Sequence, residues 1–317
     1  MKFKFFLPLI LLVGCSYQDN ESSKIIDDFH DKSITVVSPG STCDDRTMSN
    51  LLDLVKHKKN ITFLPYEPND HEKAKVLKRE LLDNKNDIVW GLRGGYGTAK
   101  VIEILYDDKE FMSQMKQKKK YPYVIGYSDI TALHLFLSQE FGWKTIHGSV
   151  FTEVIDQSKD RANFETIRNV SDGVKKIKIF GLEPLNKVAT DADEINGKIT
   201  GGNLSIIQTS IGTRWRIDSK DKILIIEDYQ EKPYRIDRIL NHLKAAGVFS
   251  NVKAVIVGDI YNSSNEMKNV ILNFAKNMNI PFYGIDVFGH NMYNYPFMYN
   301  SDGRIKTGKL VYLTQNL

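Results

Sequence analysis

The sequence is poor in cysteine, with two in 317 residues. A scaffold stapled by disulfides is therefore excluded, and so are zinc sites built from cysteine pairs. No HExxH stands in the chain either, so metal-assisted hydrolysis lacks its usual ligand helix, and no cofactor is expected. Charge of one sign is also scarce: Lys and Arg number 43 against 39 Asp and Glu, a formal net charge of +4. Removal of Lys2 and Lys4 with an amino-terminal signal would leave 4 − 2 = +2. No basic stripe is interleaved with aromatics, so nucleic acid is not an expected partner. The densest basic run, Lys116–Lys120, reads as a solvated loop. The apolar stretch Phe5–Val13 falls short of the ~20 residues that cross a bilayer, so a transmembrane anchor is not expected.

What is present begins with that stretch. Two lysines, an apolar run and then Leu12-Val13-Gly14-Cys15 fit a signal peptide whose end resembles a bacterial lipobox. Residues 1–14 would then be removed and Cys15 lipidated as the new amino terminus. Ser16 follows, with no aspartate to suggest inner-membrane retention. Tyr17 to Lys32 is polar and without hydrophobic periodicity, so residues 15–32 read as a lipidated cysteine and a tether. The expected location is the cell envelope, on a membrane through the lipid. Lipidation leaves Cys43 alone in a polar loop, a structural thiol and not a nucleophile.

Hydrophobic residues make up 42% of the chain, enough to bury a full core. From Ser33 onward, short apolar runs alternate with helical patterns. Strands are expected at Ile34–Ser38, Ile61–Leu64, Asp87–Leu92, Tyr123–Tyr127 and Lys144–His147. Helices are expected at Arg46–Lys58, Glu72–Leu82, Thr98–Leu105 and Ile130–Glu140. This alternation is the mark of an α/β fold with a parallel sheet. Residues 33–150 form one such unit. Phe151–Glu194 is polar and mixed, so residues 151–195 read as a connection. A second α/β unit, 196–317, has expected strands at Lys222–Ile226, Val255–Gly258 and Phe282–Ile285, with helix Tyr234–Ala246 after the first.

Several segments could carry chemistry. Gly126-Tyr127-Ser128-Asp129 lies between a strand and a helix, where a serine resembles a nucleophile elbow. The final glycine of G-x-S-x-G is replaced by Ile130, and Ser-Asp before an apolar helix is also an ordinary N-cap. This segment alone leaves both readings open. A nucleophilic hydroxyl needs a base, and the base an orienting acid. His290 follows a strand-like run, Glu227 and Asp228 end the strand KILII, and His147 is a rival base at the end of a β-branched run. The Arg93–Gly97 turn, RGGYG, lacks the lysine of a phosphate loop but could lend a backbone N–H to an oxyanion beside Ser128.

Read together, RGGYGTAKVIEIL, GYSDITALHLFL, KTIHG, GKITGGNLSIIQTSIGT, ILIIEDYQEKPYRIDRILNHLKAAGVF and FGHNMYN resemble the LD-carboxypeptidase family, which includes the microcin C self-immunity peptidases. The likeness runs from about Ile34 to Leu313. It implies a Rossmann-like amino-terminal domain, a carboxy-terminal domain with its own sheet, and an active site between them. It implies Ser128 as nucleophile, Glu227 as the triad acid and His290 as the base. The N–H groups of Asp129 and Gly95 would form the oxyanion hole. The implied substrates are peptidoglycan-derived stem peptides that lose a terminal D-alanine. An amidase acting on a peptide–nucleotide antibiotic and a non-catalytic wall-binding lipoprotein are the alternatives, and a homodimer is left open. Two departures stand out: many members lack an export signal, and the loop after His290 reads Asn-Met-Tyr-Asn-Tyr-Pro.

Overall fold

A computed structural model of the chain describes residues 21–64, 66–308 and 310–317. Two sheets organise it. The first runs in the order β12 (Phe297–Met298)-β5-β4-β3-β1-β2. Its parallel strands are β1 (Ile34–Val37), β2 (Ile61–Phe63), β3 (Ile88–Gly91), β4 (Tyr123–Gly126) and β5 (Ile146–His147). Central strands such as Ile34–Val37 and Ile88–Gly91 are buried throughout, which is why they read as unbroken apolar runs and not as alternating ones.

The second sheet contains β6 (Lys176–Phe180), β7 (Glu183–Pro184), β8 (Glu194–Asn203), β9 (Lys222–Glu227), β10 (Ala254–Val257) and β11 (Phe282–Gly284). Its parallel centre is β8-β9-β10-β11. The pair β13 (Asp302–Lys306) and β14 (Tyr312–Asn316) extends it antiparallel beside β8, with β6 at that edge. The connecting helices have clear local causes. Asp44 accepts the Thr47 N–H to start Asp45–Val55, Asn69 starts Asp70–Leu82, and Pro233 occupies the first turn of Pro233–Ala245.

Three segments differ from the sequence reading. The expected tether is not one from residue 21 onward: residues 21–27 are helical, and Ile25, Ile26 and Phe29 are buried. Phe29 sets its ring edge-on to Trp90 at 5.2 Å. Burying such a side chain is worth ~1.5–3 kcal/mol, enough to hold a short polar segment on the body. The expected connection 151–195 holds a helix, Arg161–Ser171, with Phe164, Ile167 and Val170 in the first unit's core, and then supplies β6 and β7 to the second sheet. Finally, β12 (Phe297–Met298) pairs with β5, so the chain returns to the first sheet before completing the second. Asn203 N–H bonds Thr131 Oγ1 at 3.0 Å, and Asn300 Nδ2 reaches the carbonyls of Ser138 and Trp143. The first bond fastens the two sheets beside the carboxyl ends of β4 and β8, and the others do so at the far end of helix Thr131–Glu140.

Candidate active site

The parallel strands present loops at their carboxyl ends, where open α/β sheets collect functional groups. In the first sheet, order reverses at β1: β2 lies on one side and β3 on the other. The loops after β1 and β3 meet there, with Ser41 N–H on Gly94 O and Tyr96 N–H on Ser41 Oγ, both at 3.1 Å.

Ser128 follows β4 after one residue, Tyr127, and opens a 3-10 turn, Ser128–Ile130, that runs into helix Thr131–Glu140. Its φ is +60°, a left-handed backbone that a serine adopts at a cost of order 1–3 kcal/mol. No side chain caps this turn, so the N-cap reading of Ser128 falls. Asp129 serves a different helix: its Oδ2 accepts the Thr98 N–H at 3.0 Å and Thr98 Oγ1 at 2.7 Å. That bond ties the glycine-rich turn to the elbow. Gly94 lies so close that a Cβ there would sit 2.9 Å from Ser128 Cβ and 3.1 Å from its Oγ. The leading N–H groups of the turn have no intrahelical partner, and Gly95 N–H donates to no described group. Both belong to segments packed against the Ser128 hydroxyl.

Glu227 ends β9 and is fully buried. His290 Nδ1 stands 2.9 Å from Glu227 Oε2, an ion-pair separation, though off the alignment of a linear hydrogen bond. Burial pulls the His290 imidazole down, but Glu227, Asp259 and Glu153 outweigh it and hold its pKa above the ordinary value. The Tyr127 ring, next in sequence to Ser128, packs against the His290 ring at 4.6 Å. The first sheet's elbow and the second sheet's histidine therefore share one cleft. Ser128 Oγ makes no hydrogen bond to a described residue, so the serine–histidine link is not closed here; such links often tighten only around substrate.

His147 does not join this group as a base. It is wholly buried with its ring flat on Phe297 at 4.3 Å, and burial holds its pKa well below the ordinary value. Asp228 is also accounted for. Its carboxylate accepts Ser205 N–H (3.0 Å), Ser205 Oγ (2.7 Å) and Asn203 Nδ2 (3.1 Å), which fixes the start of helix Leu204–Thr209. Burial, then the charge of Glu227, raises its pKa to about 6. Asp228→Asn should cost ~1 kcal/mol as a weakened cap, read by thermal or urea unfolding. Turnover should stay within about tenfold of wild type.

The loop carrying His290 is held by residues that the sequence reading does not single out. Asp259, just after β10, accepts the His290 N–H (2.5 Å) and the Asn291 N–H (2.9 Å) on Oδ2. Burial and the neighbouring Glu227 raise its pKa to about 7. Gly289 has φ +129°, and a Cβ there would meet Asp259 Oδ1 at 2.2 Å, so only glycine fits. From the other side, Lys159 Nζ donates to the carbonyls of His290 (2.7 Å) and Asn291 (2.9 Å) and pairs with Glu153 at 3.2 Å. Glu153 in turn accepts the Tyr127 hydroxyl at 2.5 Å. Asp259 had a sequence signal, being an acid at a strand end like Glu227. Glu153 and Lys159 had none, because they lie in the stretch that reads as a connection.

A two-sheet α/β body with a strained serine elbow and a buried acid–histidine pair is the frame of a hydrolase. Comparison with known proteins agrees. The models of the LD-carboxypeptidase N-terminal and C-terminal domains match residues 34–148 and 196–305. A Rickettsia conorii protein named as a carboxypeptidase is 42% identical over 286 residues, covering 87% of this chain and 89% of that one. A Bacillus subtilis protein named as a murein peptide carboxypeptidase is 30% identical over 198 residues, 61% of this chain and 58% of that one. The fold is shared with an MccF-like protein from Bacillus anthracis (TM-score 0.76, 19% identity, 89% and 95% of the two chains). It is shared as well with muramoyltetrapeptide carboxypeptidase from Oxalobacter formigenes (TM-score 0.73, 19% identity, 90% and 98%). The chain belongs to the LD-carboxypeptidase family, and its activity is that of a peptidase.

Proposed function

We propose that the chain is a serine-type LD-carboxypeptidase that removes the terminal D-alanine from peptidoglycan stem tetrapeptides. The observation that carries this reading is the buried Glu227–His290 pair, 2.9 Å apart, sharing a cleft with the left-handed Ser128 elbow. His290 takes the Ser128 proton as Oγ attacks the amide carbonyl. Glu227 holds the imidazole in the required tautomer and stabilises its cation. The Asp129 and Gly95 N–H groups receive the oxyanion, typically the largest single electrostatic contribution in such sites. His290 then returns the proton to the leaving amine, and water releases the acyl group from Ser128.

The test is to incubate the soluble chain, begun at residue 21 so that the packed helix is kept, with defined tetrapeptide muropeptides. Mass spectrometry should show loss of one alanine. An intact tetrapeptide alongside hydrolysis of an aminoacyl sulfamoyl nucleoside would favour the second reading, a microcin C-type amidase. That alternative is supported by neighbours described as MccF in complex with aspartyl sulfamoyl adenosine and glutamyl sulfamoyl guanosine.

The reading includes a lipid anchor on Cys15, which lies outside the described residues. In the sequence, residues 16–20 stand between that cysteine and the first described residue, Glu21. One acyl chain binds membranes marginally, so stable anchoring needs several. Cys15→Ala should accumulate as an unlipidated precursor in cells fed a labelled fatty acid. Persistent label on that variant would remove the anchor from the account.

A further inference from the structure

The His290 imidazole is bracketed by two tyrosines whose rings do not touch each other. Tyr127 packs on it from the protein interior at 4.6 Å and 49°. Tyr229 lies flat on it at 4.6 Å and 18°, with 52% of its own surface exposed. An exposed tyrosine would ordinarily swing freely, but this one is tied at both ends. Its N–H bonds Asp228 Oδ1 at 2.8 Å, and its hydroxyl accepts from Gln230 Nε2 at 3.0 Å. Gln230 itself has φ +54°, a turn that lays the Tyr229 ring back over the cleft.

We propose that Tyr229 is a positioning residue for the base, the outer wall of an aromatic slot that fixes the His290 ring and favours its imidazolium form. The idea rests on the reading of His290 as the base. The face of a phenol ring attracts a cation within about 6 Å of its centre, and the separation here is inside that range. The imidazolium exists when Ser128 has given up its proton, so the attraction acts where the reaction needs it. Other charged groups also face the ring: Glu227 from β9, Asp259 from the loop after β10, Glu153 and Lys159 from the stretch after β5, and His147 from β5 itself. Glu227, Asp259, Glu153 and His147 are buried, the Lys159 side chain is 6% exposed, and the exposed Tyr229 ring stacks on His290 and on none of these five. Replacing Tyr229 therefore changes one face of the imidazole and leaves the others in place.

Tyr229→Phe keeps the π face, whereas Tyr229→Leu keeps an apolar cover without it. At a site this exposed both variants should fold, which circular dichroism checks. The first readout needs no substrate: titration of the His290 ring by NMR, with its signal assigned among seven histidines by its loss in His290→Ala. The titration midpoint should fall by roughly half a pH unit to one unit in the leucine variant and stay near wild type in the phenylalanine variant. In turnover, the leucine variant should lose about three- to thirtyfold in kcat with little change in KM, and its acid limb should move the same way. Equal midpoints in the two variants would overturn the proposal. So would a raised KM at unchanged kcat, which would place the ring on the substrate. Failure of the chain to cleave any muropeptide would sink the function above and leave the titration to be judged alone.

Discussion

Ser128→Ala should lower turnover by about 10,000- to 1,000,000-fold, and His290→Ala by a similar factor. The two losses should not add. Without the Ser128 hydroxyl no acyl-enzyme forms, and an intact His290 then has no proton to take. What survives in either variant is binding of the peptide and the two oxyanion N–H groups. Neither change should disturb the fold. Ser128 leaves a strained backbone that alanine tolerates about as well, and the His290 loop stays held by Asp259 and Lys159 through main-chain atoms. The double variant, assayed for D-alanine release, should match the worse single variant within about tenfold. A product of the two factors would mean that the residues act separately.

Glu227→Gln should cost about 100- to 10,000-fold, with a change in pH dependence that identifies its cause. His290 must be neutral to act as a base, so kcat/KM falls as pH drops through its pKa. Glu227 is the first of the groups that raise that pKa above the ordinary value, and Asp259 and Glu153 follow. The wild-type acid limb should therefore lie above the usual histidine midpoint of about 6.5. In the glutamine variant the charge is gone while the burial remains, so the limb should move to lower pH as the plateau drops. A lower plateau with an unmoved limb would mean that Glu227 orients the ring but does not support its charge. If Asp228→Asn proved more damaging than Glu227→Gln, the wrong acid would have been chosen; the Asp228 bonds to Ser205 and Asn203 argue the opposite.

The sequence made the parallel strands legible because buried runs such as Ile223–Ile226 and Ala254–Val257 are apolar throughout. Ser128, Glu227 and His290 were individually ambiguous, each having an ordinary structural reading, and only the family's ordered motifs singled them out. The Ser-Asp ambiguity is resolved by a contact 31 residues away, Asp129 capping the helix at Thr98, which no local pattern reveals. The helix at 21–27 is not legible because its buried apolar residues, Ile25 and Ile26, with Phe29 in the turn after it, are too few to give a period. The return of Phe297–Met298 to the first sheet was missed for a related reason, since two residues carry no alternation. Glu153 and Lys159 hold the His290 loop from a stretch whose polarity suggests a linker. Their polarity is spent on each other, on Tyr127 and on the His290 carbonyl.

The central claim is that Ser128 carries the acyl group between two steps, and partitioning of that group tests it most directly. A stem tetrapeptide is turned over in the presence of hydroxylamine, and the products are read by mass spectrometry. An acyl-enzyme predicts the tripeptide hydroxamate beside the free tripeptide acid, in a ratio that rises with hydroxylamine, and neither product from Ser128→Ala. Free acid alone, formed by Ser128→Ala at the wild-type rate, would contradict the account.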